Sequence, residues 1–379
     1  MNKIKYFCLL AFIVPLLGCN NDNGVIDVAS YVDITGKSDC SDKIQELINN
    51  NPNRTLYFRD GTYLLDHQIL TPGDPTKSVD LQLSNYAILK ASDSYQVKRD
   101  EIGEYQDEYL YMVSLGGLDK INDVTTPGSV YSFTGGIIDG SGKAAGIEIA
   151  GGRETRVQNV SMKGVEVGLR IAHGVNGGGS SDADIRDLSI ICNDTKESYG
   201  LKLEGSDNTA TNIRIGHTTH GVYITGGTNI LKNVHPLHNK PCKESYYNDS
   251  IGFEIKSFAQ LSNCYSDNFR IAYKFHDSGS FLTDCVAWWF EPSLDLKQYS
   301  IWKESNEFNA IINNFAIGFK KDGERTIMAG NKEKLGEGSI HNVTAREIDK
   351  ITDVTDHKPD DGSLLEQYLD KDEKIHDYR

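Results

Sequence analysis

SYGLKLEGSDNTATNIRIGHTTHGVYITGG, residues 198 to 227, holds one short pattern twice. A glycine (Gly200, Gly221) opens four residues of alternating apolar and polar character, GLKL and GVYI, and about a dozen residues after Gly200 comes Asn212, followed by an apolar residue. Alternation with period two in such short pieces marks strands with one buried face. Outward from this stretch the glycine mark recurs as GIEI at 146, GLRI at 168, GFEI at 252, AYKF at 272 and, more loosely, SIWK at 300. The polar mark recurs at Asn159, Asp187, Asn233, Asn263, Asp284 and Asn313 or Asn314. A repeat of about 26 residues built of strands cannot bury its own apolar face, so successive units must stack into a solenoid. The pattern predicts an all-β, right-handed parallel β-helix from about residue 131 to 346.

The spacings also place the variable loops. From glycine mark to polar mark they are 11 to 13 residues with one exception of 19, whereas from polar mark to the next glycine they range from 9 to 19. Extra length therefore falls on one side of the solenoid, in the stretches 192 to 199, 239 to 250 and 290 to 299, and loops over a rigid sheet are where binding sites form. The Asn and Asp marks themselves read as a ladder of stacked turn residues.

Composition agrees with a solenoid that works on something other than nucleic acid. Among 379 residues Gly is frequent at 36 and Pro scarce at 9, and a formal charge of -15 disfavours phosphate neutralisation as the main business of the chain. Lys3 and Lys5 precede an apolar run from Tyr6 to Leu17, and LLGC ends at Cys19. This resembles the lipobox of bacterial lipoproteins, which implies a signal peptide over 1 to 18, lipidation of Cys19, a tether over 19 to 30 and a membrane-anchored place in the bacterial envelope. The run is too short to span a bilayer. Cys40, Cys192, Cys242, Cys264 and Cys285 remain, an odd count without paired spacing, so no disulfide framework is expected; Cys264 and Cys285 follow the polar mark and read as small interior residues.

Residues 31 to 70 read as a capping segment. Ser41 or Asp42 would start a helix with Ile44, Leu47 and Ile48 on one face, and Asn51-Pro52 would stop it. That helix, followed by LYFRDGTYLL and later by GGIIDGSG at 135 to 142, resembles the opening of the pectate-lyase-like right-handed β-helix superfamily, which includes polygalacturonases, polysaccharide lyases and phage tailspikes. The resemblance covers roughly residues 31 to 320 and implies that the β-helix domain runs from 31 to 346, with its N-terminal edge covered by the helix. Residues 347 to 379 form a charged tail.

Aligning strands after the polar mark gives candidate site residues. If Val160, Leu188, Ile213, Val234, Cys264 and Cys285 point inward, the next residues point outward: Ser161, Ser189, Arg214, His235, Tyr265 and Val286. Arg214, His235 and Tyr265 then form a polar line across three coils, beside the long loops, with His238, Asp267 and Trp288 further along the same rows. Five of the ten His fall between 217 and 276. Arg214, His235, His238, Tyr265 and Asp267 are the expected catalytic groups, and His217, His220, Lys240, Arg270 and Trp288 the expected substrate contacts. Each has a plainer reading: His217 and His220 near a turn as surface residues, Arg214 and Tyr265 as structural partners of their neighbours. HPLH at 235 to 238 lacks the accompanying ligands of a zinc site.

The segment 198 to 227 resembles the heart of the polygalacturonase family, with His220-Gly221 placed like that family's His-Gly. Where the family carries adjacent aspartates this chain has Ser198 and Tyr199, so the usual carboxylate pair for inverting hydrolysis is missing. Calcium would suit the class, but no aspartate cluster for it is apparent, and no cofactor is expected. The favoured reading is β-elimination on a uronate-containing polysaccharide: a cation holds the carboxylate, a His, Tyr or Lys takes the adjacent proton, and a second group protonates the leaving oxygen. A glycoside hydrolase would draw two carboxylates from Asp182, Asp184, Glu204, Glu254, Asp267, Asp277 and Glu291, with Asp267 best placed. A non-catalytic glycan-binding lipoprotein is the third reading.

Overall fold

The computed structural model describes residues 24–96, 109–118, 131–172, 180–238, 244–276, 279–289, 298–304, 310–319 and 339–347. The chain coils as a right-handed parallel β-helix, its strands pairing in parallel with the equivalent strands of adjacent coils. Two parallel ladders run its length. One, the glycine sheet, stacks the strands Val167–Ile171, Tyr199–Leu203, His220–Ile224, Ile251–Ile255, Ile271–Phe275 and Tyr299–Lys303. The other, the ladder sheet, stacks Asp184–Cys192, Thr209–Gly216 and Asn229–Leu237, and continues through Ala259–Ser262 with Tyr265–Asp267, Phe281–Thr283 with Val286–Trp289, and Ile311–Phe319.

The polar mark is where the ladder sheet bends. Asn159, Asp187, Asn212, Asn233, Asn263, Asp284 and Asn314 all have φ between 51° and 58°. Asn tolerates this left-handed conformation better than other side chains, and its amide can serve the next coil. Asn233 Nδ2 donates to Asn212 Oδ1 at 2.9 Å, Asn212 Nδ2 to Asp187 Oδ1 at 3.1 Å, and Asn314 Nδ2 to Asp284 Oδ1 at 3.0 Å. The residues after the mark, Val160, Leu188, Ile213, Val234, Cys264 and Cys285, are buried as expected. Cys40, Cys192, Cys264 and Cys285 are free and buried; Cys242 lies outside the described residues.

The glycine mark has a steric cause. A Cβ on Gly200 would lie 2.4 Å from Ile215 Cγ2, and one on Gly221 would lie 2.4 Å from both Pro236 Cβ and the Gly252 carbonyl oxygen. The two sheets meet too closely here for any side chain, so glycine recurs although its φ is ordinary.

The helix Ser41–Asn50 buries Ile44, Leu47 and Ile48 against the first coils. Its cap differs from expectation. Asp39 Oδ1 accepts from Ser41 N at 3.0 Å, while the Ser41 hydroxyl accepts from Asp66 N and His67 N of the next strand. Ahead of residue 31, Val25–Asp27 pairs with Thr55–Tyr57 and Val28 is fully buried. The leader with Cys19 and most of the charged tail lie outside the described residues. Among the described residues no helix is long and apolar enough to cross a membrane.

Candidate functional site

The polar line on the ladder sheet exists. Ser189, Arg214 and His235 are register partners in turn, Tyr265 pairs with Val286, and Leu237 opposite Asp267 sets the step between. His235 lies flat on Tyr265 with ring centroids 4.2 Å apart and planes 10° apart, and Trp288 meets Tyr265 edge-on at 6.3 Å. Asp267 is almost buried, with Oδ2 3.6 Å from His235 Nε2. Burial, together with Asp267 beside it, raises the pKa of Tyr265.

Other members of the expected group stand elsewhere. Arg214 Nη1 turns back onto the ladder, to Asn233 O at 3.3 Å and Oδ1 at 3.4 Å. His238 does not stand on the outward row: it is 4% exposed, its Nδ1 sits 3.0 Å from the Thr218 carbonyl, and its ring packs between Tyr247 and Phe269. Burial lowers its pKa. Alternation accounts for the burial: Val234 and Pro236 are buried, His235 and Leu237 are half-buried, and His238 falls on the buried side of the same count. His217 has φ 54° and Nδ1 3.1 Å from Asp194 Oδ2. Arg270 donates to the Asn248 carbonyl at 2.6 Å and lies 6.0 Å from the Tyr299 ring centre. Lys240, Asp277 and Glu291 lie outside the described residues.

His220 belongs to the other face. It opens a strand of the glycine sheet, directly opposite Tyr199 of the preceding coil, and the two rings stack at 4.6 Å with planes 16° apart. Next to this pair runs a row of outward side chains, one per coil: Glu148, Arg170, Lys202, Tyr223, Glu254, Lys274 and Trp302. Although they point away from the core, Glu148, Arg170 and Glu254 are 6%, 5% and 7% exposed. A row so sheltered is covered by its own ion-paired neighbours and by adjoining side chains. Beside it, Tyr109 donates through its hydroxyl to the Glu197 carbonyl at 2.7 Å and leans edge-on against Tyr199.

Ion pairs hold most of the row. Arg170 bridges Glu148 and Glu204, each at 2.6 Å, and Lys202 reaches Glu204 at 3.5 Å while lying 5.1 Å and 5.2 Å from the ring centres of Tyr109 and Tyr199. Glu254 accepts His276 Nε2 at 2.9 Å and stands 3.6 Å from both Lys256 and Lys274. Burial alone would raise the pKa of Glu254, but the His276 hydrogen bond and the two ammonium groups outweigh it and take it down to about 2. Lys256 also donates to the Tyr223 hydroxyl at 3.2 Å and is the most exposed of these lysines.

The stacked pair is pulled in opposite directions. Burial holds His220 neutral, its pKa lowered to about 4 despite nearby Glu254, and its Nδ1 is buried without a hydrogen-bond partner. Burial and the charge of Glu197 raise the Tyr199 phenol above its ordinary value. Perturbed groups side by side in shelter from solvent are what proton-transfer sites require, although ion-pair networks also perturb them. Sequence reasoning noticed His220 but missed its row; the signal was the second residue after each glycine, where alternation alone aims GIEI, GLRI, GLKL, GVYI, GFEI and AYKF outward. Among the described residues no group of three or more His, Cys, Asp or Glu is arranged to hold a metal ion.

Fold and surface together define a parallel β-helix protein with a sheltered aromatic and ionic row on one face and an aromatic cluster on another. No protein-family model and no curated protein matches the chain. Among solved structures it is similar to a tailspike protein mutant of E. coli bacteriophage HK620 (TM-score 0.56, 10% identity, 85% of this chain and 63% of that one). It is also similar to an alginate lyase from Paenibacillus sp. str. FPU-7 (TM-score 0.51, 13% identity, 84% and 98%) and to an endo-xylogalacturonan hydrolase from Aspergillus tubingensis (TM-score 0.50, 14% identity, 86% and 93%). The chain spans 63% of the tailspike and 56% of an iota-carrageenase of similar architecture. At these identities the likeness is one of fold.

Proposed function

We propose that this chain is an enzyme that cleaves glycosidic bonds of a uronate-containing polysaccharide by β-elimination, at the aromatic and ionic row on the glycine sheet. The observation that carries this reading is the Tyr199–His220 stack, a neutral imidazole against a neutral phenol, the pKa of the first lowered and that of the second raised by burial. Two adjacent groups whose environments push their pKa values apart divide the labour of proton transfer. Neutral His220 is the acceptor for the proton beside the uronate carboxylate, and protonated Tyr199 is the donor to the leaving oxygen. A conjugate acid near pH 4 makes His220 a weak base, so the substrate proton must be acidified by a cation on the carboxylate; Lys202, on the coil of Tyr199, and Lys256, on the coil after His220, supply it. Aromatic faces at Tyr109 and Tyr223 offer sugar rings a stacking surface. The similar folds of a lyase and a hydrolase support glycan cleavage without deciding its chemistry.

One observation bears on the hydrolytic alternative. Glu254, the most sheltered carboxylate beside the stack, stays ionised down to about pH 2 and cannot act as a general acid. The lipobox-like LLGC supports a second part of the proposal: the mature chain begins at a lipidated Cys19 and works at the bacterial envelope. The test of the reaction is incubation with a panel of acidic and neutral polysaccharides. Absorbance near 235 nm (the unsaturated uronate) rising together with reducing ends is the expected result; reducing ends alone would make the chain a hydrolase, and neither signal would remove cleavage.

A further inference from the structure

We infer that an exposed apolar row on the ladder sheet, Ile230, Phe281 and Ile311, is the docking surface for the chain's own C-terminal segment 364 to 375, which lies outside the described residues. The inference goes beyond the glycan reading and stands whether or not the chain cleaves a polysaccharide.

One register position recurs along the ladder sheet, and its character changes part of the way. It reads Asp80, Ser132, Arg156, Asp184 and Thr209 on the earlier coils. It then reads Ile230, Gln260, Phe281 and Ile311, followed by Ser339. Ile230, Phe281 and Ile311 are 42%, 40% and 42% exposed, while the residue after each, Leu231, Leu282 and Ile312, is in the core. Phe258 adds a half-buried ring edge-on to Phe281, 5.5 Å between centres. The other exposed large apolar side chains among the described residues do not join this row: Val25, Tyr31 and Tyr86 belong to the first coils, and Ile191 stands opposite Gly216 on a different one. Apolar side chains aligned on neighbouring coils form a continuous patch, which marks a surface that something covers.

The chain that follows the fold points to the occupant. The strand Ser339–Glu347 pairs with Ile311–Phe319, so the last described residues leave from this same sheet, one coil beyond Ile311. Extended, the stretch 348 to 363 reaches about 50 Å, more than the roughly 30 Å of the strand it has to run back along. Next comes SLLEQYLDKDEKI, 363 to 375, in which Ser363 and Glu366 have the spacing of a helix-starting capping box. At a helical rise of about 1.5 Å per residue, Leu365 stands at the origin, Tyr368 with Leu369 at about 5 Å, Asp372 at about 10 Å and Ile375 at about 15 Å, all on one side. Coils about 4.8 Å apart place Ile311, Phe281, Gln260 and Ile230 at about 0, 5, 10 and 14 Å. Both series therefore run apolar, apolar, polar, apolar at the same spacing, and in the direction in which the chain returns. The one charge on that side of the segment, Asp372, falls opposite Gln260, one coil from the exposed Lys232.

The experiment is amide hydrogen exchange on the full chain, joined to photo-crosslinking from p-benzoylphenylalanine placed at Phe281. The expected result is exchange over 365 to 372 at least tenfold slower than in an unfolded chain, with crosslinks that fall on 364 to 375 of the same molecule at every protein concentration. Phe281→Ser and Leu369→Ser should each bring that exchange back to within about threefold of the unfolded rate, while Ile191→Ser on the other row leaves it slow. Leu369 lies outside the coils, so its variant reports on docking even where Phe281→Ser fails to fold. A segment that exchanges at the unfolded rate in the wild type would overturn the inference, as would slow exchange unchanged by Phe281→Ser in a folded protein. Crosslinks between molecules that increase with concentration would assign the row to a second copy of the chain and overturn it too.

Discussion

His220 lies directly over Tyr199 of the preceding coil, 4.6 Å between ring centres, and burial lowers the pKa of the first while raising that of the second. If the two divide proton transfer, each is needed for turnover and neither for folding. His220→Ala and Tyr199→Phe should each lower kcat by about two to four decades. Circular dichroism should report unchanged strand content. The acid limb of the rate profile should lie near pH 4, where His220 gains its proton, rather than near 6.5. A limb near 6.5 that survives in His220→Ala would move the base to another histidine.

The coil architecture was legible because stacking imposes it on every repeat. Asn212, Asn233 and their equivalents must adopt positive φ at the same point of each coil, and Gly200 and Gly221 must yield to Ile215 and Pro236, so both marks recur in the sequence. The site was legible only in part. Outwardness follows from alternation, which is why His235 and Tyr265 do align, and the same alternation puts His238, four residues after buried Val234, on the inside, so it never belonged to the outward row. Nor does alternation distinguish an exposed face from a sheltered one. Arg214 and Glu254 are both outward, yet the first is exposed and the second is 7% exposed, because shelter comes from loops and neighbouring coils far away in the sequence.

Acid should destabilise the fold in two windows. His220 has a folded pKa near 4 against an ordinary 6.5, so the unfolded chain binds the proton more readily and stability falls as pH drops from about 6.5 to 4. Glu254 has a folded pKa near 2 against 4.5, so its contribution is complete above 4.5 and is lost as pH falls towards 2. Each difference is worth on the order of 3 kcal/mol. Thermal melts from pH 8 to 3 should show the first loss in the wild type and a flatter profile between 6.5 and 4 in His220→Phe; parallel profiles would mean that His220 is not held neutral.

The asparagine ladder should distinguish backbone strain from hydrogen bonding. Asn212 has φ 55°, donates to Asp187 and accepts from Asn233. Asn212→Gly keeps the conformation, removes the Cβ from the left-handed region and loses the two exposed amide bonds, whereas Asn212→Ala loses the bonds and keeps the Cβ there without the short polar side chain that lets Asn tolerate it. Losses of about 1 kcal/mol for Gly and about 2 kcal/mol for Ala are expected from denaturant unfolding. Equal losses would mean that the turn conformation carries no strain.

Cys19 tests the anchor independently of the reaction. Lipidation needs the thiol, and a single replacement removes it without touching the described fold, whose first strand starts at Val25. Cys19→Ser should therefore shift the chain from the membrane to the soluble fraction of bacterial cells, with turnover per molecule preserved. Unchanged fractionation would dismiss the anchor.

Glu254 separates elimination from hydrolysis. Its carboxylate is surrounded by His276, Lys256 and Lys274, and Glu254→Gln leaves two ammonium groups short of a counter-charge in a sheltered row. Removing one partner of a buried pair costs about 3 to 5 kcal/mol, so the variant should melt well below the wild type. Lys274 retains Glu304 at 2.9 Å, which limits the damage on its side. Under elimination by Tyr199 and His220, the fraction that remains folded at low temperature should turn over within about tenfold of the wild type, since Glu254 only shapes the field around the stack. Under hydrolysis with Glu254 as base or nucleophile, turnover of that folded fraction should fall by about two to four decades, and only reducing ends would have been released by the wild type. Kinetics normalised to folded protein, measured beside the 235 nm signal, decide between the two.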